Sequence, residues 1–262
     1  MLAFGGGANS MACAVLMHKL GMKPQAIVFC DTGSEWPETY AYIESVANPW
    51  FERVGFPLVE VARRWIHVNM TLPESLREQC DRLQSVPAIA FGYKRCSQHY
   101  KAETSKAYVR QQEWARATWA RGERVVKVIG YDAGESRRIR PEFAEDKRYV
   151  NWYPLYDRWL EREDCIRLIE SEGIPAPRKS ACYYCPSNTD RDWLDLRDLH
   201  PDLFADALHM EEAAQATIKD PHSFGLRRRG RPGEKQLREW AKGQLGPEVD
   251  RDSDELPCEC VL

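Results

Sequence analysis

Three consecutive glycines, Gly5, Gly6 and Gly7, stand just before Asn9 and Ser10. Residues without side chains at a bend let main-chain N–H groups approach phosphate oxygens, and the start of a following helix adds partial positive charge. Asn9 and Ser10 supply further donors. The spacing is neither Gly-x-Gly-x-x-Gly nor a loop closed by Gly-Lys-Ser/Thr, so two common phosphate loops are excluded. A tight turn without a ligand is the alternative. Cys182-Tyr183-Tyr184-Cys185, followed by Pro186, is a Cys-x-x-Cys pair, a spacing that suits a tetrahedral metal ion, an iron–sulfur cluster or a redox dithiol. Arg137 and Arg138 form a local anion clamp, since guanidinium groups match phosphate or sulfate with two parallel bonds. Cys258-Glu259-Cys260 sets two thiols near the last residue, where either could attack a bound sulfonucleotide or relay a persulfide. Arg227-Arg228-Arg229-Gly230-Arg231-Pro232 is the dense basic run. Its Arg-Gly-Arg-Pro step is similar to an AT-hook core, which lays Arg into a narrow minor groove. Arg227–Arg231 is therefore the candidate nucleic-acid contact, while Phe224, Leu226, Leu237 and Trp240 suit packing of the same segment onto a core.

Elements that would hold these groups follow from the apolar pattern. Leu2-Ala3-Phe4 is a short strand, the glycines a bend, and Met11–Leu20 a helix ended by Gly21. Ala26–Cys30 is a second strand closed by the turn Asp31-Thr32-Gly33, and Pro37–Val46 is a helix with Pro37 in its first turn. Pro57–Val61 and Val125–Ile129 are further strands, and Arg162–Glu170 is a helix carrying Cys165. This alternation predicts an α/β fold, an open parallel sheet with helices on both faces. Ligands of such sheets bind beyond the carboxyl ends of the strands, where the turns at 5–10 and 31–33 both fall. Residues 1–200 are read as the nucleotide-binding core with its Cys-rich region, and 201–262 as a small helical and irregular C-terminal extension.

Phe4–Ser10 resembles the PP-loop of the adenine nucleotide α-hydrolase superfamily. Val28–Tyr40, with Asp31-Thr32-Gly33 before Pro37-Glu38-Thr39-Tyr40, resembles the segment after the second strand of phosphoadenosine phosphosulfate (PAPS) and adenosine phosphosulfate (APS) reductases. Arg95-Cys96 with Lys101, Gly130–Ser136 with Arg138, Tyr153-Pro154-Leu155, and Gly173 through Pro186 resemble later motifs of that family in the same order. The resemblance spans residues 3–190 and implies a Rossmann-like (HUP) fold. It implies that Gly5, Gly6, Gly7, Asn9 and Ser10 cradle phosphate and that Asp31, Thr32 and Gly33 lie near the adenosine. Gly130 would line base or ribose, while Glu135, Arg137 and Arg138 flank the reacting end. Departures are Ala8 for a frequent Lys, Asn9 for Asp, and Asp132 for a common Arg. Iron–sulfur members carry a Cys-Cys pair where this chain has Cys96-Ser97. With Cys165 as replacement, the expected [4Fe–4S] ligands are Cys96, Cys165, Cys182 and Cys185, and zinc on the same four is the alternative. Reductases carry a nucleophile in a Glu-Cys-Gly-Leu-His tail, of which Glu259-Cys260 keeps one step, so Cys260 is the candidate nucleophile.

Composition bounds the rest. The chain has 262 residues, 43% hydrophobic and 29% charged, with a formal net charge of -3. Near-neutrality excludes a global attraction to nucleic acid or anionic membrane, so an electrostatic partner needs a local patch. No apolar run approaches the ~20 residues that span a bilayer, and no basic segment precedes Met11–Met17, so a cytoplasmic protein is expected. In a reducing compartment nine cysteines point to metal binding or catalysis. Three functions are compatible with these readings. The first is an ATP- or sulfonucleotide-binding sulfurtransferase that acts on an acceptor such as a nucleic acid, served by a sulfur or electron donor protein. The second is a PAPS or APS reductase releasing sulfite. The third is a nucleotide-binding regulatory or defence subunit without turnover.

Overall fold

The structure, a computed structural model, describes residues 1–64, 74–87, 89–90, 93–139, 147–217, 225–227 and 236–243. Strand β1 (Leu2–Ala3) leads through the glycine bend into helix α1 (Ala8–Lys19), and β2 (Ile27–Asp31) follows. Helix α2 (Pro37–Tyr42) runs through a π-helical turn, Ile43–Ala47, into α3 (Asn48–Arg53), ahead of β3 (Val59–Arg63). Helix α4 (Leu76–Leu83) precedes a short antiparallel pair, β4 (Ile89–Ala90) and β5 (Tyr93–Lys94). A second π-helical segment, Ser97–Glu103, continues into α5 (Thr104–Gln111), then α6 (Glu113–Ala120), β6 (Val125–Ile129) and β7 (Tyr149–Trp152). The chain closes with α7 (Arg162–Glu170), α8 (Asp190–Leu199), α9 (Pro201–Gln215) and α10 (Leu237–Gly243).

The main sheet has the order β3-β2-β1-β6-β7, and every pairing in it is parallel. β1 lies at its centre, pairing Leu2 with Ile27 on one side and with Val128 on the other. The pleat sends successive side chains to opposite faces. Ile27 and Phe29 enter one core with α1, α3 and the Cys165–Ile169 face of α7. Ala26, Val28 and Cys30 enter the other, with Val109 of α5 and Ala115 of α6. Burial on both faces explains why these strands read as unbroken apolar runs rather than alternating ones.

A further core lies beside the turn that leaves β2. Trp36, Leu76 and Tyr184 pack there with Trp193, Phe204, Met210, Leu226 and Leu237, so segments from both ends of the chain share one interior. Glu211 of α9, only 1% exposed, ties it down. Its Oε1 accepts the N–H groups of Leu226 at 2.8 Å and Leu237 at 2.9 Å, and its Oε2 that of Arg238 at 3.1 Å. No described helix is long and apolar enough to cross a membrane.

Candidate functional site

The bend between β1 and α1 is fixed by backbone geometry. Gly6 has φ +73°, and a Cβ there would lie 2.7 Å from Thr39 Cγ2. A side chain at this position would meet both an unfavourable left-handed backbone and a neighbour of α2. Ser10 Oγ donates to the Gly7 carbonyl at 2.9 Å, which closes the first turn of α1. From the other side, β6 ends in Gly130 against this same turn: a Cβ on Gly130 would lie 2.8 Å from the Asn9 carbonyl carbon. Only glycine allows that approach, so the ends of β1 and β6 and the start of α1 form one rigid seam.

A cavity of about 430 Å³ opens over the seam, lined by Gly5, Gly7, Ala8, Asn9, Ser10 and Gly130. Glu135 and Arg138 also line it, as expected. So do four cations or hydroxyls not assigned to it from sequence: Lys101, Arg162, Lys179 and Ser180. Lys179 and Ser180 directly precede the Cys-x-x-Cys turn, and that adjacency was the available signal. The structure does not bring Arg137 to the cavity; that residue is exposed, and Arg138 is the one that turns inward.

The loop side of the cavity is acidic. Asn9 Nδ2 donates to Asp132 Oδ2 and to Glu135 Oε2, both at 2.9 Å. Both carboxylates are 6% exposed. Glu135 pairs with Arg138, whose guanidinium lies 4.1 Å from the centre of the Tyr131 ring, and Tyr131 stacks on Tyr153. Burial pushes the Glu135 carboxyl above its ordinary range; the Arg138 charge pulls it down, and Asp132 pushes it up again. The start of α1 therefore already faces two carboxylates of the protein, held by one amide.

The turn after β2 serves a different task from the one expected. Asp31, 3% exposed, accepts from Tyr40 Oη and Gly33 N–H at 2.7 Å each and pairs with Arg63 at 3.0 Å. Thr32 Oγ1 lies 3.2 Å from Cys182 Sγ, and Gly33 has φ +73° with Ser75 against it. Asp31, Thr32, Gly33 and also Gly6 are absent from the cavity lining. They build its support. Lys101 links the two regions: it lines the cavity and pairs with the fully buried Glu35 at 3.5 Å.

The cysteines correct one expectation. Cys165 does not join Cys96, Cys182 and Cys185. With Ile169, four residues on, it forms the face of α7 that docks on α1, and it is 0% exposed in the core that also holds Cys13. Burial pushes its thiol up to about 12. Cys96, Cys182 and Cys185 belong to the other core, together with Cys80. Among the described residues no three His, Cys, Asp or Glu side chains are grouped so that they could hold a metal ion. Ser97, beside Cys96, is 3% exposed with a buried Oγ that has no hydrogen-bond partner.

The basic run is corrected in part. Arg227 is 8% exposed, pairs with Asp190 at 2.7 and 2.9 Å, and lies over the Trp240 ring. It is a packing residue with no face left for a phosphate. Residues 228–231, Cys258 and Cys260 lie outside the described residues.

A parallel sheet with a glycine bend at its carboxyl edge and a polar cavity above it defines an α/β protein of the nucleotide-binding class. The chain belongs to the phosphoadenosine phosphosulfate reductase family: the model of that domain matches residues 1–178. This is a family of adenine nucleotides and sulfur chemistry whose members are typically enzymes. The chain is also similar to an uncharacterized protein of Methanocaldococcus jannaschii, 20% identical over 217 residues, covering 77% of this chain and 45% of that protein. It thus spans about half the length of this curated relative. No solved structure matches.

Proposed function

We propose that the cavity binds an adenine nucleotide with its phosphates against the Gly5–Ser10 bend, and that the chain uses ATP, with pyrophosphate as leaving group, to activate an acceptor for sulfur transfer. The observation that carries this reading is the cavity over a bend whose main-chain amides lie at the start of α1. Asp132 and Glu135 favour ATP over a bare sulfonucleotide. Two buried carboxylates beside the loop repel an uncompensated anion, and a divalent ion carried in with a triphosphate offsets them.

In this reading Lys101, Lys179 and Arg162 neutralise phosphate oxygens from the cavity wall. Arg138, held by Glu135 and the Tyr131 ring, meets the charge that builds on the leaving group. Cys260 is the proposed sulfur-carrying nucleophile, and Arg228–Arg231 the proposed contact to a nucleic-acid acceptor. An iron–sulfur cluster on the cysteine-rich side would supply electron or sulfide chemistry.

A second reading, reduction of PAPS or APS to sulfite, is favoured by the family match. One experiment separates the two. Purified protein is titrated calorimetrically with Mg²⁺–ATP and with APS and PAPS, then assayed for pyrophosphate and for thiol-dependent sulfite. Tight Mg²⁺–ATP binding with pyrophosphate release supports the first reading. Sulfite release replaces it with the second. Binding with neither product leaves a nucleotide-binding subunit without turnover, and no binding of any adenylate overturns the site.

A further inference from the structure

We infer that Cys80 of α4, and not Cys165, completes a four-thiolate iron–sulfur site with Cys96, Cys182 and Cys185. The inference deepens the sulfur-chemistry reading above and rests on it for the kind of group bound.

Four segments meet at the turn after β2. The Leu76 N–H, at the start of α4, donates to the Thr32 carbonyl at 2.9 Å. The Tyr183 N–H donates to the Ser34 carbonyl at 3.0 Å, and Glu35 and Cys182 form an isolated bridge. Tyr184 Oη donates to Ser34 Oγ at 2.7 Å, and Tyr100 Oη to the Ser75 carbonyl at 3.1 Å. One turn thus seats α4, the 97–103 segment and the Cys-x-x-Cys loop together.

Helical spacing aims two thiols into that junction. Cys80 is four residues after Leu76, so both share the buried face of α4, each 3% exposed. Cys96 is four residues before Tyr100, whose ring is 1% exposed and whose hydroxyl reaches α4. Cys80 and Cys96 interact electrostatically, as do Cys182 and Cys185, and Tyr184 feels both Cys80 and Cys182. The four sulfurs border one apolar core, walled by Trp36, Leu76 and Tyr184. Cys165 packs in a different core.

The size of the group follows from spacing. A tetrahedral zinc ion with Zn–S of about 2.3 Å draws its sulfurs to about 3.8 Å of one another. No three described ligand-type side chains are grouped for one ion. A four-iron cluster carries its thiolates outward from a larger body, which suits a set gathered in one core without meeting at one point. Ser97 Oγ, buried and unpartnered, sits next to Cys96 as a donor toward cluster sulfide.

The test uses the full chain, purified without oxygen and reconstituted with ferrous iron and sulfide. Wild type and Cys165→Ser are each expected to hold about four iron and four sulfide per chain, with the same visible and EPR spectra. Cys80→Ser should lose at least half of both. Because that variant also changes a core position, alkylation of wild type followed by mass spectrometry supplies an independent readout. Iron–sulfide loading should protect Cys80, Cys96, Cys182 and Cys185 more than tenfold, and leave Cys165 equally unreactive before and after. Retention of iron in Cys80→Ser with its loss in Cys165→Ser would overturn the assignment. So would one zinc per chain without sulfide, or no protection of Cys80. Adenylate binding is measured on the same samples: its absence overturns the nucleotide reading, while its presence without a cluster overturns this inference alone.

Discussion

Replacing Asp132 by Asn removes one of the two negative charges beside the glycine bend while leaving an oxygen for the Asn9 amide. Both carboxylates are one hydrogen bond, 2.9 Å, from Asn9 Nδ2. Phosphate oxygens seated on the bend's N–H groups therefore stand about 5 Å from them. Unit charges at ~5 Å in an effective dielectric of ~20 repel by about 3 kcal/mol. The cavity opens to solvent, and screening reduces this to about 2 kcal/mol. Asp132→Asn should thus tighten metal-free ATP about 30-fold and narrow the gap between metal-free and Mg²⁺–ATP. Calorimetry at low ionic strength, with and without chelator, reads both quantities, and added salt should shrink the effect. An unchanged affinity for metal-free ATP, or an equal gain for adenosine, which has no phosphate, would refute the placement of phosphates at the bend.

Three other outcomes follow from the same geometry. Glu211→Ala strands three buried N–H groups, each worth about 1–3 kcal/mol, so urea unfolding should report a loss of at least about 3 kcal/mol; a loss below about 1 kcal/mol would refute the tie. Burial raises the Glu211 carboxyl above its ordinary 4.5 despite the three N–H donors that lower it. The native state therefore keeps a proton that the unfolded chain has released, and stability should fall as pH climbs from about 4.5 through the raised value. Glu211→Gln should flatten that slope in melts across pH. Gly130→Ala forces a Cβ against the Asn9 backbone and should cost about 1–3 kcal/mol together with most adenylate binding, measured by melting and calorimetry.

Regular elements with strong local signals were legible in the sequence. Val125–Ile129 and Arg162–Glu170 occur with the bounds that the apolar pattern and charges indicate. β2 and β3 are displaced by one and two residues, because a strand buried on both faces has no alternation to fix its ends. β7 was missed: Tyr149–Trp152 is an edge strand with Asn151 inside it, and its burial depends on partners elsewhere in the chain. The glycine bend was readable because its chemistry is local. Cys165 was misplaced for the opposite reason. Spacing to the Cys-x-x-Cys pair says nothing about which face of α7 turns inward, and its apolar stripe, Cys165 with Ile169, binds it to α1. Asp31 shows the same limit, since its partners Tyr40 and Arg63 come from α2 and β3.

The interior shared by Trp36, Leu76 and Tyr184 with Trp193, Phe204, Met210, Leu226 and Leu237 runs across the edge of the family match at residue 178. A fragment trimmed to that edge would bare Trp36 and Leu76 to water and lose the Tyr184 hydroxyl that braces Ser34. The nucleotide-binding half is consequently not a portable module. Its turn after β2 borrows stiffness from residues that the family pattern does not contain, and exchange of α8–α10 among relatives would retune the cavity from behind.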